Sequence, residues 1–139
     1  MNLNQQIGVL TVRLLLGLIF LFQGIGKVFK IGIENVYQGF FLGTYQELLP
    51  EFLLKATAYY TSYVELLAGF LVVIGLFRSY ALYALASVLV IVSFGHGLVD
   101  PIWDLSHVMY RAILLVALLF LPAHWDRFSA DEMLARIKP

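Results

Sequence analysis

Ionisable residues are so sparse along this chain that the gaps between them read as structural elements. Met1–Gly26 holds only Arg13, Ala56–Phe77 only Glu65, and Ser79–Val99 only His96, while Ser106–Ala123 holds His107 and Arg111. These windows of 18 to 26 residues match the ~20 residues an α-helix needs to cross a hydrocarbon core ~30 Å thick. A segment in lipid must satisfy its own backbone, which a helix does. The pattern predicts an all-α fold, an integral membrane four-transmembrane-helix bundle. Its helices run over about 7–28, 50–77, 80–99 and 105–122, within a single membrane domain covering 1–139.

The punctuation agrees. Pro50 opens the second helix where a missing N–H costs nothing, Asp100-Pro101 stops the third, and Pro122 closes the fourth. Trp103 and Trp125 bracket the fourth span like headgroup anchors. Ser129-Ala130-Asp131-Glu132 fits a capping box, opening a short amphipathic tail helix over about 130–137 with Met133, Leu134 and Ile137 on one face. The long connection Ile31–Leu49 carries apolar residues at roughly helical spacing and is read as an interfacial segment over the bundle mouth. Ile7–Leu21 is read as a mature helix and not as a cleaved signal. Arg13 interrupts it, and no small-x-small site follows.

Composition sharpens this. The chain is 61% hydrophobic and 13% charged, with a mean hydropathy of +0.87, against ~25% charged residues in an ordinary soluble domain. That argues against a soluble enzyme. A formal net charge of zero leaves no basic footprint for nucleic acid. With no cysteine there is no disulfide framework and no thiol relay, which excludes the small four-helix membrane proteins that form disulfides. Lysine and arginine bias sets topology. Arg78, Arg127, Arg136 and Lys138 on one side, against Lys27, Lys30 and Lys55 on the other, place both termini in the cytoplasm.

The intramembrane polar residues are the candidate chemistry, because a charge at the bilayer centre costs ~2.5–3.5 kcal/mol unless it faces protein or water. Arg13, Gly17, Phe20, Gly24 and Lys27 share one stripe of the first helix. Glu65, Ala68, Gly69 and Gly75 share one in the second. Gly17, Gly24, Gly69 and Gly75 are read as packing positions where a neighbouring backbone comes close. With alternating helices, Lys27, Glu65, His96 and Arg111 fall in the half opposite the termini, Glu65 at a depth of about 12 Å, with Gln23 near the Lys27 level. Arg13 lies nearer the other face. Glu65 is too short to reach headgroups, so it is either neutral through desolvation or paired with a base. Arg13 is the first choice of partner and Arg111 the second. Each residue also has a structural reading: Arg13 and Arg111 snorkelling, Lys27 an interfacial anchor, His96 a hydrogen-bonded core histidine, and Tyr59, Tyr60 and Tyr63 an aromatic belt. His96 and His107 on neighbouring helices are the nearest approach to a haem ligand pair, and nothing in their spacing selects it. No metal site is read.

Two segments carry a family resemblance: Arg13-x3-Gly17-x2-Phe20-x3-Gly24-x2-Lys27, and Glu65-x3-Gly69-x5-Gly75-Leu76-Phe77-Arg78, with His96 near the end of the third helix. In their order and spacing, over about residues 8 to 122, the chain resembles the DoxX family of small bacterial membrane proteins. Arg111 is not part of that pattern. The resemblance implies a multi-pass protein of the bacterial inner (cytoplasmic) membrane. It also implies, for some members, a subunit role in quinone-linked sulfur oxidation.

Three functions follow as expectations. The first is a subunit or partner of a larger membrane complex, quinone-linked in the family's manner, with a polar intramembrane pocket. The second is a small-molecule or lipid binder or transporter. The third is a quinone-dependent oxidoreductase in its own right, disfavoured because no side chain is an evident electron carrier. Partners are then the lipid bilayer and either another membrane protein or a second copy. No cofactor ligand set is evident, and quinone enters only through the resemblance.

Overall fold

The computed structural model describes residues 2–102 and 105–137, with the side chain of His107 left aside. Trp103 and Lys138 fall outside the described residues. Helix α1 is Leu3–Ile25, continued by a π-helical turn, Gly26–Ile31. A connection follows, made of α2 (Ile33–Val36), a second π-helical turn (Tyr37–Leu42) and α3 (Gly43–Tyr45). Helices α4 (Glu51–Ile74), α5 (Arg78–Val99) and α6 (Ser106–Phe120) come next. A 3-10 turn (Ala123–Trp125) and α7 (Ala130–Ile137) end the chain. Leu3–Ile31, Glu51–Ile74 and Arg78–Val99 are long and apolar enough to cross a membrane, and α6 is apolar but shorter. Helix α1 starts four residues before the predicted boundary because Asn2 and Gln5 form a reciprocal capping box, closing two orphan N–H groups.

The four long helices form a ring in the order α1, α4, α5, α6. Lipid tails are as apolar as leucine, so close packing rather than water exclusion holds such helices together. The closest contact is between α1 and α4. A Cβ on Gly24 would fall on the Leu66 backbone, one on Gly69 would stand 2.6 Å from Leu21 N, and one on Gly17 would stand 2.8 Å from Val73 N. These glycines thus fix an antiparallel register of Gly17 against Val73 and Gly24 against Leu66. Phe20, Leu16, Val72, Leu85 and Leu118 fill the ring's core.

Gly75 lies in a turn, and a neighbouring backbone does come close there: a Cβ on it would stand 2.9 Å from Ser129 Cα. It caps α4 in the left-handed region at φ 69°, ending that helix three residues before the predicted boundary, and Phe77 follows at φ 49°. The tail then ties the termini end together. The Asp131 carboxylate accepts from Phe77 N at 2.9 Å and Arg78 N at 3.0 Å, capping α5 and complementing its positive end. The Ser129 hydroxyl accepts from Glu132 N at 3.2 Å, one half of the predicted box. Trp125 is partly buried against the core and so packs into protein as well as marking the helix end.

Candidate functional site

The glycine register decides where each intramembrane charge goes. Lys27 lies three residues past Gly24, and Glu65 lies one before Leu66, so the two meet across the α1–α4 contact. Lys27 Nζ stands 2.7 Å from Glu65 Oε2. Glu65 is 1% exposed; the lysine reaches it from the π-helical turn, a local widening that is common at functional sites. The pair meets at ion-pair distance.

Arg13 is therefore not the partner of Glu65, contrary to the first expectation from sequence. Register puts it level with the C-terminal end of α4, where it donates to the carbonyls of Val72, at 3.2 Å, and Val73. It also donates to Phe128 O at 3.1 Å and pairs with Asp126 at 3.1 Å. Arg13 and Asp126 are 2% and 1% exposed. Arg78 approaches the same carboxylate at 3.8 Å and donates to the Leu118 and Leu121 carbonyls. Burial raises the Asp126 carboxyl above the usual range, and the guanidinium groups of Arg13 and Arg78 oppose that rise. This cluster clamps α1, α4, α5 and α6 to the tail. Sequence reading singled out neither Asp126 nor Arg78 as a partner. The available signal was two arginines near one membrane face, with acids close to that face only in the segment after Pro122.

The other five candidates converge. Gln23, Lys27, Glu65, His96 and Arg111 all line one cavity of about 1020 Å³ beneath the connection. Arg111 Nη1 donates to Gln23 Oε1 at 2.7 Å, and its guanidinium lies 5.6 Å from the centre of the Phe20 ring, within cation–π range. The second choice of partner for Glu65 thus sits in the same chamber, bonded to Gln23. Thr61 and Tyr45, not singled out from sequence, line it too. The remaining wall is largely aliphatic and aromatic. Among the described residues no group of three His, Asp or Glu side chains is placed to hold a metal ion.

The roof is tethered at both edges. On the α4 side, Tyr37 Oη donates to Glu51 at 2.8 Å and Tyr59 Oη to Glu34 at 3.1 Å, while Lys55 stands 3.4 Å from Glu34. Burial and the Glu51 carboxylate push the Tyr37 phenol up to about 12, so it stays a neutral donor. On the α5 side the Tyr45 hydroxyl lies 3.3 Å from where a Cβ of Gly95 would stand.

A family model for DoxX matches residues 8–97. The chain belongs to the DoxX family. The match takes in Lys27, Glu65 and His96, and it ends before α6, so Arg111 lies outside the matched segment. No curated protein and no solved structure matches the chain. The DoxX match, the helical architecture and the apolar spans make this a membrane protein surrounded by lipid.

Proposed function

We propose that this DoxX protein is a ligand-binding protein of the bacterial inner membrane, holding an amphipathic small molecule in the chamber under its α1–α4 connection. The observation that carries the reading is the intramembrane ion pair on the wall of a cavity of about 1020 Å³. Ligand pockets run to roughly 300–1,000 Å³, mostly apolar with a few convergent polar groups. A pair kept only for packing would be surrounded by side chains, since an apolar replacement of similar volume is often as stable. Lys27 and Arg111 offer donors and Glu65 an acceptor, which suits a head bearing carbonyl or hydroxyl oxygens on an apolar chain. A quinone is one molecule of that description. An assembly role, the first expectation from sequence, needs a contact face, whereas the fold builds a roofed chamber. The same chamber would serve the protein as the ligand-bearing subunit of a larger complex.

The basic residues at the termini end support a cytoplasmic setting for that end, with the chamber toward the outer side. Reporter fusions at the C-terminus test this directly.

Native mass spectrometry from lipid nanodiscs tests the binding. The expected result is one amphiphile retained per wild-type chain and lost in both Lys27→Met and Glu65→Gln. Wild-type protein that retains no small molecule in any of several lipid compositions would overturn the reading.

A further inference from the structure

Given the ligand-binding reading above, the roofed chamber needs an entrance. We infer that an amphiphile enters and leaves at headgroup level, through a vestibule between residues 43–48 of the connection and the end of α5, with the connection pivoting on its α4 edge. The vestibule is a second cavity, of about 420 Å³, with Thr44, Gln46, Glu47, Leu48, Leu98 and Val99 on its walls. Thr44 and Val99 line the chamber as well, so the two cavities meet across these two side chains.

Its level suits such a ligand. Helix α5 has 22 residues, about 33 Å at 1.5 Å per residue, close to the ~30 Å of a hydrocarbon core. Leu98 and Val99 are its last two residues, so the vestibule lies where hydrocarbon gives way to headgroups. A carbonyl or hydroxyl head drawn through the hydrocarbon would lose its water with no replacement partner. Here Thr44, Gln46 and Glu47 give the head a polar wall, while Leu48, Leu98 and Val99 give the chain an apolar one. Behind them, Tyr45 follows Thr44 and His96 lies one turn before Val99, and both line the chamber. Polar groups thus run from the vestibule into the chamber that holds Glu65.

The contacts of the roof set its pivot. On the α4 side Tyr37 donates to Glu51, Tyr59 donates to Glu34, and Lys55 stands 3.4 Å from Glu34. Glu51, Lys55 and Tyr59 recur every fourth residue, which puts them on one face of α4. They attach the connection along a line, as a hinge would. On the α5 side the roof comes down where Tyr45 meets Gly95, a position with no side chain to hold it off. A swing about the α4 line lifts residues 43–48 from α5 and widens the vestibule, while the glycine-packed α1–α4 contact stays as it is.

The chain has no cysteine, so Thr61→Cys places a single thiol on the chamber wall. The full chain is held in lipid nanodiscs with dodecylmaleimide, an amphiphile with a neutral carbonyl-bearing head, and labelling is followed by intact mass spectrometry. The expected result is steady labelling, slowed about ten-fold by Val99→Trp, which fills the vestibule, and quickened by Tyr45→Ala, which frees the roof edge. Val90→Trp, at a chamber-lining residue that is exposed on the outside of α5, leaves the rate unchanged. Because one variant narrows the entrance and the other loosens it, failure of either to fold leaves the other to decide. Absence of labelling, a rate that either folded variant leaves unchanged, or slowing by Val90→Trp in their place overturns the entrance. Ligand retained in native mass spectrometry alongside such a result refutes the entrance alone. A responsive vestibule with no retained ligand refutes the binding reading alone.

Discussion

Lys27 Nζ stands 2.7 Å from Glu65 Oε2 across two helices that touch through glycine. The two partners are unequal. Glu65 is 1% exposed on a short side chain, whereas the Lys27 side chain is 26% exposed and can turn outward. Breaking a buried pair costs ~3–5 kcal/mol because a charge is left uncompensated, but a lysine near a helix end can carry its ammonium to the headgroups.

The first prediction is that asymmetry. In detergent, Lys27→Met loses more thermal stability than Glu65→Gln, by at least about 1 kcal/mol, with the larger loss at the lower end of the buried-pair range. The double variant recovers part of the Lys27→Met loss. A double-mutant cycle measures the coupling; equal single losses with no coupling would remove the pair from the energetics.

At the termini end the balance differs. Asp126 faces two arginines, and Arg13 also serves the carbonyls of Val72, Val73 and Phe128. Asp126→Asn leaves two guanidinium groups buried without their counter-charge, and the expected loss is about 3–5 kcal/mol. Cleavage by protease after Pro122 should rise in parallel, since the tail loses its anchor. A variant as stable and as protease-resistant as wild type would show that the clamp is incidental.

How far was this legible in the sequence? The apolar windows give the helices, since length and the scarcity of charge are local properties. The convergence of Gln23, Lys27, Glu65, His96 and Arg111 on one half follows from alternating helix direction, again without tertiary knowledge. Pairing does not. Arg13 and Lys27 lie 14 residues apart on one stripe, and only the register of Gly24 on Leu66 selects between them for Glu65. Asp126 lies 113 residues from Arg13, in a segment that looks like an ordinary surface loop. A left-handed turn at Gly75 and Phe77, stapled by Asp131, folds that segment back. Propensity has no way to announce it, because phenylalanine at φ 49° is imposed by tertiary contacts.

The glycines allow a paired test. A Cβ at Gly8 meets nothing within 4 Å, while one at Gly24 falls on the Leu66 backbone. Both sit in α1, so helix propensity alone favours alanine at each by about 1 kcal/mol. Gly8→Ala should gain up to that amount. Gly24→Ala should lose about 1–3 kcal/mol as the backbones are forced apart, and ligand retention should fall with it because Lys27 and Glu65 separate. Melting temperatures in one detergent decide; equal shifts at the two positions would contradict the close α1–α4 contact.

The roof tether predicts a pH dependence. Hydrogen bonds from Gln38 and Tyr59, with Lys55 close by, lower the Glu34 carboxyl from its ordinary value near 4.5. A carboxyl lowered in the folded state binds its proton less readily there than in the unfolded chain. Its contribution is therefore present above about 4.5 and is lost as pH falls through the folded value. Glu34 is exposed, so global stability should barely move, and the effect should be local to α2. Carbon-13 NMR of glutamate side chains, assigned by Glu34→Gln, should give a midpoint below 4.5. Tyr59→Phe should bring it upward, and the amide signals of Ile33–Val36 should shift over the same pH interval. A Glu34 midpoint at or above 4.5, or one unmoved by Tyr59→Phe, would mean that this edge of the roof is not held by the carboxylate.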